Sequence, residues 1–175
     1  MNGEFGTYTL TIKGEKLTVE KPLIMGILNV TPDSFYSGSR MGSDEALIGK
    51  RVEQILDEGG DMIDIGAYST RRNADDISAD EEYARLKTGL NIIKCIDANV
   101  VVSVDTFRAD VARKCVEEFG VDIVNDVSGG TLDDEMFATV AKLKVPYILM
   151  HMRGTPATMQ QLTDYSDVTR DVIAD

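Results

Sequence analysis

Apolar residues recur along this chain with two different periods. Tyr8, Leu10 and Ile12 alternate with polar neighbours, as do Leu17 and Val19, with Gly14-Glu15 between them. That pattern predicts a β-hairpin over residues 6–20, turning at Gly14-Glu15. Beyond it, short apolar runs at 23–28, 62–65, 100–104, 123–124 and 147–150 read as buried strands. Segments of helical period separate them. Ser43, before Asp44 and Glu45, is the expected N-cap of a helix with Ile48, Val52, Ile55 and Leu56 on one face, stopped by Gly59-Gly60. Ser78 and Glu81 have capping-box spacing ahead of Tyr83, Leu86, Leu90 and Ile93. Ala112, Cys115, Val116 and Phe119 share a third face, and Met136, Val140 and Leu143 a fourth. A further helix is expected to begin near Asp164, showing Val168 and Val172.

Near-continuous apolar strands alternating with amphipathic helices predict a parallel sheet covered by helices. Two architectures fit. An open doubly wound sheet would be complete at five strands. A (β/α)8 TIM barrel needs about 250 residues and would be truncated after about five β/α units. The chain stops inside an apparent helix at 171–175, and its hairpin suits the bottom of a barrel. The expectation is therefore an α/β chain, one domain over 1–175: a truncated TIM barrel with an N-terminal β-hairpin.

Composition narrows the function. The chain has 175 residues, 43% hydrophobic and 27% charged, which suits a globular fold rather than disorder. Its net charge of −12 lacks the basic footprint of a nucleic-acid binder and disfavours anionic membrane. No run approaches the roughly 20 apolar residues of a membrane span. The polar N-terminus is unlike a signal peptide, so a cytoplasmic location is expected. Cys95 and Cys115 fit no metal or redox spacing and are expected to be reduced core residues.

Each strand run carries polar residues: Asn29, Asp64, Asp105, Asn125-Asp126 and His151. In parallel α/β folds ligands sit outside the carboxyl ends of the strands, so these positions outline one polar site. An Asp there can accept a pair of N–H donors from an amino-pyrimidine ring, and an Asn offers a donor and an acceptor. Asp105 and Asn125 could equally form turns or caps. Asp64, inside its strand, implies a structural hydrogen bond or a ligand contact, Asp126 could be a turn residue, and His151 fits a satisfied histidine better than a catalytic one. Asn29, at the end of the first strand run, and Asp33, in the loop of residues 30–42 after it, offer oxygen ligands suited to Mg²⁺. In the second, Ser69-Thr70-Arg71-Arg72 makes either an anion site or an ordinary solvated loop.

The run Ile24-Met25-Gly26-Ile27-Leu28-Asn29-Val30-Thr31-Pro32-Asp33-Ser34-Phe35 resembles the first signature of the dihydropteroate synthase family of pterin-binding barrels. Gly60-Asp61-Met62-Ile63-Asp64-Ile65-Gly66 with Ser69-Thr70-Arg71 resembles the second. Ser103-Val104-Asp105-Thr106, Asn125-Asp126-Val127-Ser128-Gly129-Gly130 and Met150-His151-Met152-Arg153-Gly154-Thr155-Pro156 resemble further family segments in order. The resemblance implies a TIM barrel in which p-aminobenzoate displaces diphosphate from 6-hydroxymethyl-7,8-dihydropterin diphosphate, giving 7,8-dihydropteroate. It implies that Asp105 and Asn125 are the catalytic pair on the pterin edge, with Val127 and Met150 as apolar wall. It implies that Asn29 holds Mg²⁺ and diphosphate, that Thr70 and Arg71 meet diphosphate and aminobenzoate, and that a loop with Asp33 and Phe35 closes over the site. A homodimer is implied for the longer parent enzyme, and poor activity or none for these residues alone.

The sequence departs from the family pattern at Arg72, at Ala67-Tyr68 and at Ser37. Two alternatives stand beside this reading: a pterin-binding methyltransferase-type barrel, and a non-catalytic five-stranded α/β binding module.

Overall fold

The computed structural model describes residues 6–12, 14–31, 41–68, 77–155 and 158–175, apart from the side chains of 41–44. Strands β1 (Tyr8–Ile12) and β2 (Glu15–Val19) form the antiparallel hairpin. Its turn differs from the expectation by one residue. Glu15 already belongs to β2 and pairs with Ile12, and Gly14 takes the positive φ (78°) that tight hairpin turns favour.

The remaining strands are β3 (Met25–Asn29), β4 (Met62–Gly66), β5 (Val101–Asp105), β6 (Ile123–Asp126) and β7 (Tyr147–Leu149). They form one parallel sheet in the order β3-β4-β5-β6-β7. Helices α1 (Met41–Asp57), α2 (Ala79–Ile96), α3 (Ala109–Phe119) and α4 (Met136–Leu143) connect them, and α5 (Val168–Ala174) follows a short 3₁₀ turn at Met159–Gln161. Two starts differ from the sequence reading. The backbone of α1 begins at Met41, so Ser43 lies inside its first turn; helix starts inferred from cap residues shift this much. Helix α5 begins at Val168, where Asp167 accepts the Arg170 N–H as N-cap.

Strand order decides between the two architectures. A doubly wound sheet reverses its order at a switch point and so gains helices on both faces. Here the order never reverses, and right-handed crossovers then put every helix on one side. Leu28, Ile63, Ile65, Val104 and Val124 face that side and pack with Ile48, Val52, Ile55, Leu86, Leu90, Ile93, Ala112 and Cys115 in one core. Gly26 marks how close the layers come: a Cβ there would lie 2.3 Å from Ile55 Cγ2. The opposite face is open, with Ile27 60% and Ile148 40% exposed. This is the layering of a β/α barrel segment, and it excludes the five-stranded doubly wound module.

The hairpin closes the amino-terminal end of that inner face. Ile12 is buried with Met62 and Ile123, and Leu10, Met25 and Val101 pack around them; Met25, Met62, Val101 and Ile123 are the first residues of their strands. The bottom plug expected from the alternating sequence is thus in place. One core assignment fails: Cys115 is buried, but Cys95 is exposed because it lies off the Leu86-Leu90-Ile93 face of α2. Both cysteines are free.

Candidate functional site

The register of the sheet collects the polar strand ends into rows. Asn29 pairs with Gly66, Gly66 with Asp105, Asp105 with Asn125 and Asn125 with Ile148. These five positions form one row across the open inner face, at the carboxyl end of the strands. Gly66 is the gap in the row. A Cβ there would lie 3.3 Å from Asp105 Oδ2 and 3.6 Å from Asn29 Oδ1, so both side chains lean over the space it leaves. By alternation Val127 and Met150 continue the same face just above, where both are half-buried.

Asp64 lies one row lower, paired in register with Ile27 and Ser103. Its Oδ2 accepts a hydrogen bond from Asn125 Nδ2 at 3.0 Å. Its Oδ1 is buried and has no hydrogen-bond partner among the described residues. Burial raises its pKa; the Ser103 hydroxyl, close by though without full hydrogen-bond geometry, and the Asn125 amide oppose the rise. Asp105 is perturbed further. Burial, then the negative charges of Asp64, Glu82 and Asp126, push its pKa up to about 7. Near neutrality Asp105 is therefore poised between accepting and donating, while Asn125 gives its Nδ2 to Asp64. Such a floor suits a flat heterocycle edged with N–H donors and ring nitrogens.

The sequence-predicted residues divide in three. Asn29, Asp105, Asn125, Val127 and Met150 come together on this face. Asp33, Phe35, Thr70 and Arg71 lie outside the described residues. Asp126 is turned away: it accepts from Ser128 N, Ser128 Oγ, Gly130 N and Tyr147 Oη, and so organises the loop after β6. His151 is satisfied by Asp175 Oδ2 at 2.9 Å.

The sequence profile of the family described as "Pterin binding enzyme" matches residues 25–175. The chain belongs to the pterin-binding enzyme family. A dihydropteroate synthase of Synechocystis is 42% identical over 85% of this chain and 50% of its own length. A mitochondrial folate synthesis bifunctional protein of Arabidopsis thaliana is 43% identical over 99% of this chain and 32% of its own. The solved structure of Xanthomonas albilineans dihydropteroate synthase with 4-aminobenzoic acid has TM-score 0.75 and 32% identity, covering 95% of this chain and 57% of that one. The chain thus spans a third to somewhat over half of the length of these relatives.

Asp64, placed by the sequence among the polar positions of the strands as a structural hydrogen bond or a ligand contact, joins the row through Asn125. A buried ion pair lay outside that reading. Glu82, fully buried on α2, is held by Arg108 Nη1, while Arg108 Nη2 donates to Ile77 O at 2.7 Å. The guanidinium lies 5.2 Å from the Tyr68 ring and 4.9 Å from Phe107, and these rings meet edge-on at 5.0 Å. Nothing in the local sequence announces a pair 26 residues apart.

Among the described residues no three His, Cys, Asp or Glu side chains gather as a metal site. Asn29 nevertheless fits Mg²⁺: its amide makes no hydrogen bond to another described residue, and a neutral oxygen at an open strand end suits an ion that also takes substrate phosphate. No helix among the described residues is long and apolar enough to cross a membrane.

Proposed function

We propose that this chain carries the pterin-binding part of a dihydropteroate synthase. The observation that carries the reading is the row Asn29, Gly66, Asp105 and Asn125 above buried Asp64, in a family whose members bind pterins. The substrates are 6-hydroxymethyl-7,8-dihydropterin diphosphate and p-aminobenzoate. The amine lone pair forms a C–N bond at the pterin methylene, the C–O bond to diphosphate breaks, and the amine loses a proton. Asp105 and Asn125 hold the pterin edge and orient the methylene toward the open mouth of the strands. Electron density from the ring stabilises the positive charge that develops on that carbon, and the acidic surroundings of Asp105 favour it. Val127 and Met150 wall the ring against water.

Asn29 would hold Mg²⁺ together with substrate phosphate, and the ion would supply charge neutralisation for the departing diphosphate. Thr70 and Arg71 are proposed to meet diphosphate and aminobenzoate, and the loop of Asp33 and Phe35 to cover them. Homodimerisation and a cytoplasmic location belong to the same proposal, the latter although the Arabidopsis relative is named mitochondrial. With Ile27 and Ile148 exposed on the inner face, these residues alone grip the ring from one side, so weak binding and low turnover are expected.

A thermal melt with and without dihydropterin diphosphate and Mg²⁺, beside Asn125→Ala, tests this. A midpoint raised by ligand in the parent and not in the variant supports the reading. A cooperative melt indifferent to ligand at millimolar concentration refutes it for this chain.

A further inference from the structure

We propose that Asp64 is a positioning residue that fixes the amide of Asn125, turning its nitrogen into the barrel floor and its oxygen toward the ligand. The proposal rests on the pterin reading for the ligand's identity, though not for the geometry. A carboxylate only accepts, so Asn125 must present Nδ2 to Asp64 Oδ2 at 3.0 Å. The opposite orientation would set two oxygens against each other. Asn125 Oδ1 is thereby committed to the open face as an acceptor, and the ligand must bring an N–H to it.

The comparison with the other aspartates separates this role from a structural one. Asp61 accepts the Ile24 N–H, Asp122 that of Val102, Asp133 that of Ala109, and Asp126 those of Ser128 and Gly130. Each accepts from backbone N–H groups and so fixes the course of the main chain. Among the described residues Asp64 accepts from no backbone N–H. It is 7% exposed, its Oδ1 has no hydrogen-bond partner among them, and its firm contact is with the side chain of Asn125. A carboxylate buried at this cost, without a backbone partner, does little for the fold. It does set the donor and acceptor pattern of the site, and its charge bears on Asp105 beside it.

Asp64→Asn, read by carboxyl and side-chain amide NMR of the 175-residue chain, tests the assignment. In the folded variant the Asp105 pKa should fall, since a neighbouring negative charge is gone. The Asn125 amide protons should lose their protection from solvent exchange. The Kd for 6-hydroxymethyl-7,8-dihydropterin diphosphate should rise about tenfold, the equivalent of one good hydrogen bond. An unchanged Asp105 titration with unchanged Asn125 signals, or undiminished binding by the variant, overturns the proposal. If the NMR changes occur but the parent binds no dihydropterin, the pterin reading fails while the positioning pair stands. If the variant does not fold, the parent decides: its Asn125 amide signals must titrate in step with the Asp64 carboxyl, and independent titration overturns the assignment.

Discussion

Asp105→Asn removes a charge that the fold resists. The Asp105 pKa stands at about 7 against an ordinary 3.8, because burial and the charges of Asp64, Glu82 and Asp126 disfavour ionisation. The folded chain therefore binds this proton more tightly than the unfolded chain. Between about pH 4 and pH 7 the unfolded state loses the proton first, so stability falls as pH rises through that window. Below it both states are protonated and nothing is lost. Roughly three units correspond to about 4 kcal/mol at alkaline pH, and solvent reaching the half-buried carboxylate cuts this to about 2–3 kcal/mol. Asparagine has the same shape and no charge, and the Asp105 carboxylate makes no hydrogen bond to another described residue that the change would break. Urea denaturation at about pH 8 should show Asp105→Asn more stable than the parent by about 2–3 kcal/mol, and at about pH 4 nearly equal. Equal stabilities at the higher pH, or the same gain at both, would refute the reasoning. Affinity for dihydropterin diphosphate should fall in the same variant, since a strained carboxylate at a site is retained for what it binds.

Arg108→Ala should destabilise the chain by about 3–5 kcal/mol in urea melts, because it leaves fully buried Glu82 without its cation; a loss under about 1 kcal/mol would count against the pair. Gly26→Ala should cost about 1–3 kcal/mol by the same measurement, since the new Cβ would meet Ile55 Cγ2 at 2.3 Å and α1 must retreat from β3. Tyr147→Phe removes the hydroxyl that donates to Asp126 Oδ2 at 2.7 Å. It should cost about 1 kcal/mol while leaving dihydropterin affinity unchanged, because Asp126 faces away from the site.

Much of this protein was legible as one-dimensional pattern. Strands appear as apolar runs and helices as a 3.6-residue period, because each element must bury one face against the next. The Ser78 cap is local chemistry, and it forms as read, with Ser78 Oγ accepting the Glu81 N–H at 3.2 Å. The polar residues at strand ends marked the site edge because parallel β/α units leave that edge for ligands. Which face each of them takes was not legible. Asn125 and Asp126 are adjacent and similar, yet the pleat sends one to the open inner face and the other to four hydrogen bonds behind it. The Asn125–Asp64 contact spans 61 residues and the Arg108–Glu82 pair 26, and both depend on register between elements distant in sequence. The raised pKa of Asp105 has the same origin, since it reports burial first and then three carboxylates from α2, β4 and β6, all of which only folding brings about. The sequence by itself determined the elements, their barrel-like order and the residue types at the strand ends, because these follow from local period and turn chemistry. Only the tertiary structure decided which of those groups share a face, a proton and a hydrogen bond, because such couplings decay within a few ångströms and depend on packing distance rather than on position along the chain.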